Sequence, residues 1–506
     1  MLNSTASSVG DSKHTKISQS VLVKSSSRGA SACAIIGVAI RRFSRTSTRL
    51  FRVKQHGGLC RRSRALAVLS MSFALSAVAP MRAWAVVDLI TVLERAHGTD
   101  PTYSEARSNA LAAAEGIPQA QAEAWLPTLS FNGSVTRVQQ DIALEAGIGA
   151  GGEVAYTGRQ FRISLNQPVF HFDSYMKIDQ ADLRLQQANY ELAAAQQALI
   201  IRVAEQYFDV LAAQDNLDFA TAEKQSLNGQ LIQAQQRFEV GLIAITDVQE
   251  AQAGYDRATA SQIIAENELD NSREALRETT QVYYDKLATL GDTIQLTPPE
   301  PSDIEAWTQT ALEQNLEISA ANTASEIAQK EIRVQSSGHF PTIDLVGSHG
   351  FNAQGGRFGG SKVTQGDIAL ELNVPLYQGG RVNSRTRQAS HEHNAALQRL
   401  EQARRAVFRE TRQAYLGVIA QISTVKALRQ AVLSSSTAVD STRAGFEVGT
   451  RTAVDVVDAE RGLFEARRDF SRARYDYILD ILRLKQAAGT LDDEDLAVAN
   501  SWLVER

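Results

Sequence analysis

Cysteine is nearly absent from this sequence. Its 506 residues include two cysteines, Cys33 and Cys60, and both precede residue 86. The rest of the chain therefore cannot form a disulfide bond, a thiolate metal site or a cysteine nucleophile. It also lacks a nucleotide-binding loop, a metal cluster and a nucleophile–base pair, so we predict no enzyme, no metal and no cofactor.

Proline is also scarce, and its distribution divides the chain. No proline occurs between Pro168 and Pro298, and none follows Pro375. Each proline-free stretch spans about 130 residues and is rich in Ala, Gln, Leu, Glu and Arg, which favour α-helix. Each stretch contains one strong break, at Gly241 or at Gly449, where glycine permits a tight reversal. The pattern predicts two long helical hairpins.

The first arm of the earlier hairpin is predicted to run from about 173 to 237. At 1.5 Å per residue it would extend on the order of 100 Å, and such a helix needs packing partners along its length. Apolar residues at helical spacing supply a face for these partners. They are Leu185, Leu192, Leu199, Val203, Tyr207, Val210, Leu211 and Leu217, with Val407, Tyr415, Val418, Ile422 and Val425 in the later hairpin.

Basic residues are in short supply outside the N-terminal part. Fourteen of the 52 lysines and arginines lie before residue 86, but only one of the 57 acidic residues does. The rest carries 38 basic and 56 acidic groups, a net charge of −18. We therefore expect no nucleic-acid partner.

The N-terminal part resembles a processed leader. Basic residues at 61–64 precede an apolar run at 65–79 and a small-x-small site at 83–85. The apolar run is shorter than the roughly 20 residues that a spanning helix needs. We predict a signal peptide at 61–85, cleaved after Ala85, and interpret the Ser/Arg-rich residues 1–60 as a disordered leader or a misplaced start.

Three short motifs occur twice in the same order. Residues 125–129, 165–170 and 238–248 correspond to 339–343, 372–377 and 446–456; the last pair reads FEVGLIAITDV and FEVGTRTAVDV. A repeat of this length predicts two tandem copies of one structural unit. We expect the copies at 86–297 and 306–490, a proline-rich connector at 298–305 and a C-terminal tail at 491–506.

Ahead of each predicted helical hairpin, apolar and polar residues alternate with period two. The apolar positions are Leu129, Phe131, Gly133 and Val135, then Phe161, Ile163 and Leu165, and in the second copy Ile343, Leu345 and Gly347, then Ile368, Leu370, Leu372 and Val374. Alternation over about ten residues predicts a strand, and an apolar outer face is typical of a transmembrane β-barrel. Phe170, Phe172 and Tyr377 lie at the strand ends, where an interfacial girdle or core packing would explain them.

Four strands per chain cannot form a closed barrel. An open sheet edge in lipid leaves unpaired N–H and C=O groups, and small outer-membrane barrels need about eight strands or more. The chain must therefore oligomerise. With two hairpins per chain, three copies would supply twelve strands.

With these parts placed, the chain closely resembles the TolC family of outer-membrane efflux proteins over residues 86–496. The motifs that carry the resemblance are 241–248, 449–456 and the terminal AGTL at 488–491. It implies a homotrimer with a twelve-stranded β-barrel in the outer-membrane lipid, continued by a long α-helical periplasmic barrel. It also implies a periplasmic adaptor protein and an inner-membrane transporter of the RND, MFS or ABC type.

The resemblance assigns roles to residues near the two tips. Asp455 and Asp458, three residues apart on one helix, would form acidic rings at the periplasmic entrance; a solvated acidic helix face is the alternative. Arg451 and Asp247, with Thr246 beside them, correspond to a latch that holds the tip closed, and an incidental surface pair is the alternative. Phe446 stands where many relatives have tyrosine, so a phenolic hydrogen bond would be missing. The candidate adaptor contacts are Gly241, Leu242, Gly449 and Thr450.

Two classes of function remain open at this point. A passive export duct explains the helices and the strands together. A soluble periplasmic coiled-coil scaffold explains the helices but leaves the alternating segments unexplained. Within the duct class, the sequence does not separate small-molecule efflux from type I protein secretion.

Overall fold

The computed structural model describes residues 86–143, 152–291, 294–356 and 359–504. The predicted leader at 1–60 and signal peptide at 61–85 lie outside this range. Within it, one order of elements occurs twice: two helices, a β-hairpin, a very long helix and a shorter helix. The predicted helical hairpins and four strands are confirmed.

The first set contains four helices and two long strands. They are α1 (Leu89–Thr99), α2 (Pro101–Trp125), β1 (Thr128–Ile142), β2 (Gly152–Phe170), α3 (Phe172–Glu239) and α4 (Ile245–Thr280). A two-residue strand, β3 (Thr289–Leu290), follows.

The second set has the same composition. Its elements are α5 (Ile304–Gln314), α6 (Leu316–Ser336), β4 (Thr342–Gln354), β5 (Ser361–Asn373), α7 (Arg381–Glu447) and α8 (Ala453–Ala488), with a 3-10 turn at Ser337–His339. The chain continues into α9 (Asp493–Asn500) and β6 (Leu503–Val504).

A single capping residue separates α1 from α2, and another separates α5 from α6. The Asp100 carboxylate accepts a hydrogen bond from the Tyr103 amide at 2.7 Å, and Pro101 occupies the first turn of α2. Asn315 plays the same part before α6, where its side-chain oxygen accepts from the amides of Glu317 and Ile318. Each cap satisfies N–H groups that the first helical turn leaves free.

The long helices α3 and α7 contain 68 and 67 residues. At 1.5 Å per residue each extends about 100 Å. The earlier part of α3 packs against α2 and α6, and the later part packs against α4 and α8. The predicted apolar stripe forms this contact, because Leu199, Val203 and Tyr207 are buried.

The four strands form one antiparallel sheet in the order β1-β2-β4-β5. In its register, apolar residues of neighbouring strands share one face, as in the pairs Phe131–Ile163 and Leu345–Leu370. β1 and β5 are the edge strands, with no further strand beside them in the described part of the chain.

One strand boundary differs from the simplest expectation. A proline between the alternating segment and the proline-free stretch would place the junction of strand and helix at Pro168, but β2 continues to Phe170, and the register with β4 shifts between these two residues. Proline has no amide hydrogen, so it interrupts the ladder as a bulge without ending the strand. Pro127, Pro341 and Pro375 do lie outside the strands.

The main core lies midway along the long helices and uses buried tyrosines as polar links. The Tyr207 hydroxyl donates to the Ala288 carbonyl at 2.8 Å and contacts that of Val87 at 3.2 Å. The Tyr477 hydroxyl likewise donates to the Thr297 carbonyl at 3.0 Å. These bonds attach the helices to the irregular segment between α4 and α5.

The segment after residue 490 is part of this core. Leu496 of α9 is fully buried, and β6 pairs with β3 to form a small second sheet. The predicted tail is therefore packed against the helices.

Candidate functional site

The two helical tips are tight turns at one end of the long helical hairpins. In tip 1, residues 240–244, Gly241 has φ +75° and the Leu242 amide donates to the Arg237 carbonyl at 2.9 Å. A positive φ strains any residue with a Cβ, so glycine ends α3 at little cost. The predicted reversal at Gly241 is confirmed.

Tip 2, residues 448–452, has the same geometry. Gly449 has φ +79°, and the Thr450 amide donates to the Gly445 carbonyl at 2.8 Å. The Thr450 hydroxyl donates to the same carbonyl at 3.1 Å. This additional bond fixes the side chain of Thr450 against the turn.

Apolar side chains are exposed at both tips. Leu242 is 73% exposed, and Val240, Ile245 and Val448 are also exposed. Leu242 is one of the predicted adaptor contacts, and the other three residues lie close to them in the sequence. Apolar groups grouped at the end of a charged helical hairpin are a feature of binding surfaces.

Acidic residues cap the two helices that leave the tips. The Asp455 carboxylate accepts hydrogen bonds from the Thr452 amide at 2.8 Å and from its hydroxyl at 3.0 Å. These hydrogen bonds, the amide bond first, lower the pKa of Asp455. The Asp247 carboxylate accepts from the Ala244 amide at 3.2 Å.

The structure places the predicted acidic pair on the first turns of α8. Asp458 is exposed and pairs with Arg461 of the same helix at 3.1 Å. Asp455 is engaged with the cap described above. Both carboxylates therefore have partners within one chain, and Asp458 is the more accessible of the two.

The predicted latch residues are not brought together within one chain. Arg451 and Thr246 are exposed, and Asp247 is half-buried at its cap. Among the described residues, Arg451 and Asp247 form no ion pair with each other or with a third residue. A latch between them requires a second copy.

A contact that the sequence did not reveal joins the two tips. The Arg237 guanidinium lies over the Phe446 ring, 4.9 Å from its centroid. A cation–π contact of this kind is worth about 0.5–1 kcal/mol at an exposed site. Phe446, which lacks a phenolic hydroxyl, links α3 to α7 through its ring face.

A buried charged cluster above tip 2 was also missed. Glu460 of α8 is 2% exposed in its side chain and pairs with Arg443 of α7. The other carboxylate oxygen accepts from the Ser226 hydroxyl of α3 at 2.7 Å. The cluster therefore joins three helices beside a cavity of about 230 Å³. Its sequence signal is an acid within the apolar stripe Val456, Val457 and Leu463.

The described residues offer no candidate metal site. They contain no group of three or more His, Cys, Asp or Glu side chains placed to hold an ion. In the same part of the chain, no helix combines the length and the apolar character that a membrane crossing requires.

At the opposite end from the tips, the sheet exposes its apolar face. Phe131 is 67% exposed and Ile368 is 83% exposed, with Leu129, Leu370 and Leu372 on the same face. At the helix-side border of the sheet, the rings of Trp125 and Tyr175 lie 4.8 Å apart. Of the residues predicted at the strand ends, Phe172 packs edge-to-face on Phe340, and Tyr377 is exposed.

This combination of an exposed apolar sheet and long helical hairpins is that of outer-membrane channel proteins. Residues 92–280 and 307–490 match the family described as outer membrane efflux protein. The chain belongs to this family. It is an outer-membrane protein that extends into the periplasm.

Individual relatives agree with this assignment. The chain is 44% identical over 348 residues to the outer membrane protein TolC of Vibrio cholerae serotype O1, covering 67% of this chain and 79% of that protein. It is 30% identical over 340 residues to the alkaline protease secretion protein AprF of Pseudomonas aeruginosa, covering 66% and 70%.

A solved structure shows the same fold. The Campylobacter jejuni CmeC outer membrane channel has a TM-score of 0.67 and 16% sequence identity, with 82% of this chain and 89% of that chain covered. The family and this structural neighbour are channels, not enzymes.

Proposed function

We propose that this protein is the passive exit duct of a tripartite efflux or type I secretion system. The observation that carries the proposal is the four-stranded sheet, which has an exposed apolar face and, in the part of the chain that the structure describes, two free edges. In lipid, each free edge leaves unpaired backbone groups that cost several kcal/mol each. Identical copies remove both edges when β1 of one chain pairs with β5 of the next.

Three copies give a duct where two do not. Two copies would supply eight strands, and an eight-stranded barrel is filled by its own side chains. Three copies supply twelve strands and leave a lumen. They also bring together six long helical hairpins, which continue the duct into the periplasm.

Exposed apolar side chains along the helices support assembly. Ile263 and Ile264 of α4 and Leu416 and Leu433 of α7 are exposed within one chain. Apolar residues at these positions would be covered by neighbouring copies. This is the packing that a helix of about 100 Å needs along its length.

We propose that the duct is gated at its tips. Arg451 of one copy would pair with Asp247, next to Thr246, of a neighbour. An exposed pair of this kind contributes only about 0–1 kcal/mol, so three of them bias a closed state without locking it. Asp455 and Asp458 from three copies would form carboxylate rings that attract cations.

The energy for transport would come from elsewhere. A periplasmic adaptor would bind Gly241, Leu242, Gly449 and Thr450 at the tips and connect the duct to an inner-membrane RND, MFS or ABC transporter. The relative named for alkaline protease secretion, AprF, supports a role in protein secretion for this chain.

Cysteine cross-linking of the sheet edges tests the duct directly, because both natural cysteines precede residue 86. Cysteine at Ser134 of β1 is combined in turn with cysteine at Val363, Gln365 or Asp367 of β5. Within one chain these edges are three strands apart, about 14 Å, which is too far for a disulfide bond.

We expect at least one pair to give covalent dimers and trimers in the outer membrane, with no larger species. In the matched control, cysteine at Gln160 of β2 replaces the one at Ser134. β2 has a neighbour on both sides, so this control should give no cross-link. The absence of cross-links in all three edge pairs would contradict the closed barrel.

A leucine at tip 1 tests the adaptor contact. Leu242→Asp should abolish copurification of the adaptor and cargo export, whereas Leu111→Asp, at another well-exposed leucine in α2, should leave both intact. Equal export by the two variants would argue against adaptor binding at the tip.

A further inference from the structure

Three basic residues lie on the apolar face of the sheet, at its loop end. Arg159 of β2 and Lys362 of β5 occupy one row across the strands, through the pairs Val135–Arg159, Arg159–Ala353 and Ala353–Lys362. Paired residues project to the same side of a sheet. Arg137 lies two residues beyond Val135 on β1 and therefore on the same face. We call Arg137, Arg159 and Lys362 the basic row.

The basic row marks one border of the apolar band. From the pair Ile343–Leu372 to the pair Ala353–Lys362 the strand advances ten residues. That distance is about 33 Å along the strand and about 25 Å across a membrane at the usual barrel tilt. The latter is the height of the apolar band of outer-membrane barrels.

The position of the basic row explains why cations are tolerated on this face. A lysine or arginine that faces lipid is very unfavourable at the bilayer centre and nearly neutral at the interface. The remaining polar residues inside the band, Gln167, His349 and Thr364, carry no permanent charge. The opposite border of the band, near the helices, has aromatic residues instead, including Trp125 and Tyr175.

The three basic side chains are exposed and can bind an anion. In the described part of the chain, none of them forms an ion pair or a side-chain hydrogen bond. The nearest acids on this face are Asp141 of β1 and Glu153 of β2, which are paired across the two strands. Asp141 lies four residues beyond Arg137 along β1. At 3.3 Å per residue they lie about 13 Å farther out, so they leave the row positively charged.

The spacing of the basic row suits more than one phosphate. Adjacent strands are about 4.8 Å apart, so Arg159 and Lys362 are separated by about 10 Å, and Arg137 lies about 8 Å from Arg159. Arginine binds phosphate with two parallel hydrogen bonds, and lysine adds a point charge.

We propose that the basic row binds the phosphorylated headgroup of an outer-leaflet glycolipid. The occupant is a membrane lipid because the row continues directly from the apolar band that would contact acyl chains. The inference rests on the proposed function, since it requires the sheet to lie in the outer membrane with its loops outward. Three copies would carry three such sites around the barrel.

Native mass spectrometry in phosphatidylcholine nanodiscs tests the lipid site, with diphosphoryl lipid A as the probe. The test variant is Arg137→Gln, Arg159→Gln, Lys362→Gln. The matched control removes three cations elsewhere: Arg162→Gln on the other face of β2, and Arg405→Gln and Arg409→Gln on α7, both well exposed.

The wild type and the control should bind diphosphoryl lipid A about 100-fold more tightly than the test variant, because each Lys or Arg near an anionic membrane surface contributes about fivefold. Millimolar inorganic phosphate should not compete. Equal binding by the test variant and the wild type would overturn the inference alone. Competition by inorganic phosphate would make the row a general anion site and overturn the lipid assignment. Failure of the wild type to enter the bilayer would overturn the proposed duct as well.

Discussion

The buried cluster of Arg443, Glu460 and Ser226 should control local opening above tip 2. Arg443→Gln would leave the Glu460 carboxylate in an almost fully buried position with one hydrogen bond, from Ser226. Removal of one partner of a fully buried ion pair costs about 3–5 kcal/mol. Arg443 is 51% exposed, so water can reach the vacated side, and we expect about 2 kcal/mol.

Hydrogen exchange of the detergent-solubilised protein measures this cost locally. Since about 1.4 kcal/mol corresponds to a factor of ten, amides of the first three turns of α8 should exchange roughly 30-fold faster in Arg443→Gln than in the wild type. Exchange at the main core, around Tyr207, should not change.

A neighbouring arginine provides the control. Arg461 lies on α8, one residue after Glu460, and pairs with the exposed Asp458. Its replacement by Gln should cost about 0–1 kcal/mol and accelerate exchange fivefold or less. If Arg443→Gln and Arg461→Gln accelerate exchange equally, burial does not strengthen the Arg443–Glu460 pair.

Further predictions concern the entrance, the core and helix α8. Asp455→Ala with Asp458→Ala should raise single-channel conductance and abolish block by multivalent cations; unchanged block would reject the acidic rings. Because the pKa of Asp455 is lowered in the folded protein, its cap stabilises α8 above the unfolded pKa, and this stabilisation is lost as pH falls through the folded pKa. Hydrogen exchange at several pH values should therefore show that the tip loosens only in strong acid. Tyr207→Phe should lower the free energy of unfolding by about 1–3 kcal/mol, because the buried Ala288 carbonyl loses its donor, and a thermal shift below one degree would contradict this. Gly489→Ala should destabilise by about 2 kcal/mol or more, since Gly489 has φ +78° and a Cβ would lie 2.5 Å from the Gln314 carbonyl oxygen. Gly462→Ala, with open space around it in the interior of α8, should instead stabilise the helix by up to about 1 kcal/mol, as thermal unfolding of the two variants can show.

Local patterning was sufficient to predict the elements that form the duct. The absence of proline predicted α3 and α7, and alternation predicted the strands because each residue's face depends only on its neighbours. The turns at Gly241 and Gly449 were predictable because few residues other than glycine adopt a positive φ.

Contacts between distant segments were not predictable in this way. β3 and β6 are two residues each and pair across more than two hundred residues, so no periodic pattern announces them. The Glu460 cluster needs Ser226 and Arg443 from two other helices. An acid within an apolar stripe indicates a buried partner but does not identify it.

The site residues depend on contacts beyond one chain. Asp247 and Asp455 serve as helix caps within the chain, which explains an acid at the third position of each helix without a gate. Among the described residues, Arg451 forms no ion pair and no side-chain hydrogen bond. Its assignment to a latch therefore depends on how neighbouring copies meet.

The number of chains in the detergent-extracted protein shows whether the sheet edges are closed by identical copies. Within the described residues, each chain offers a four-stranded sheet with two free edges, and a closed barrel requires identical chains to pair them. Native mass spectrometry of the protein extracted from outer membranes should show a complex of three chains. A stable single chain that remains folded without lipid or detergent would contradict the account.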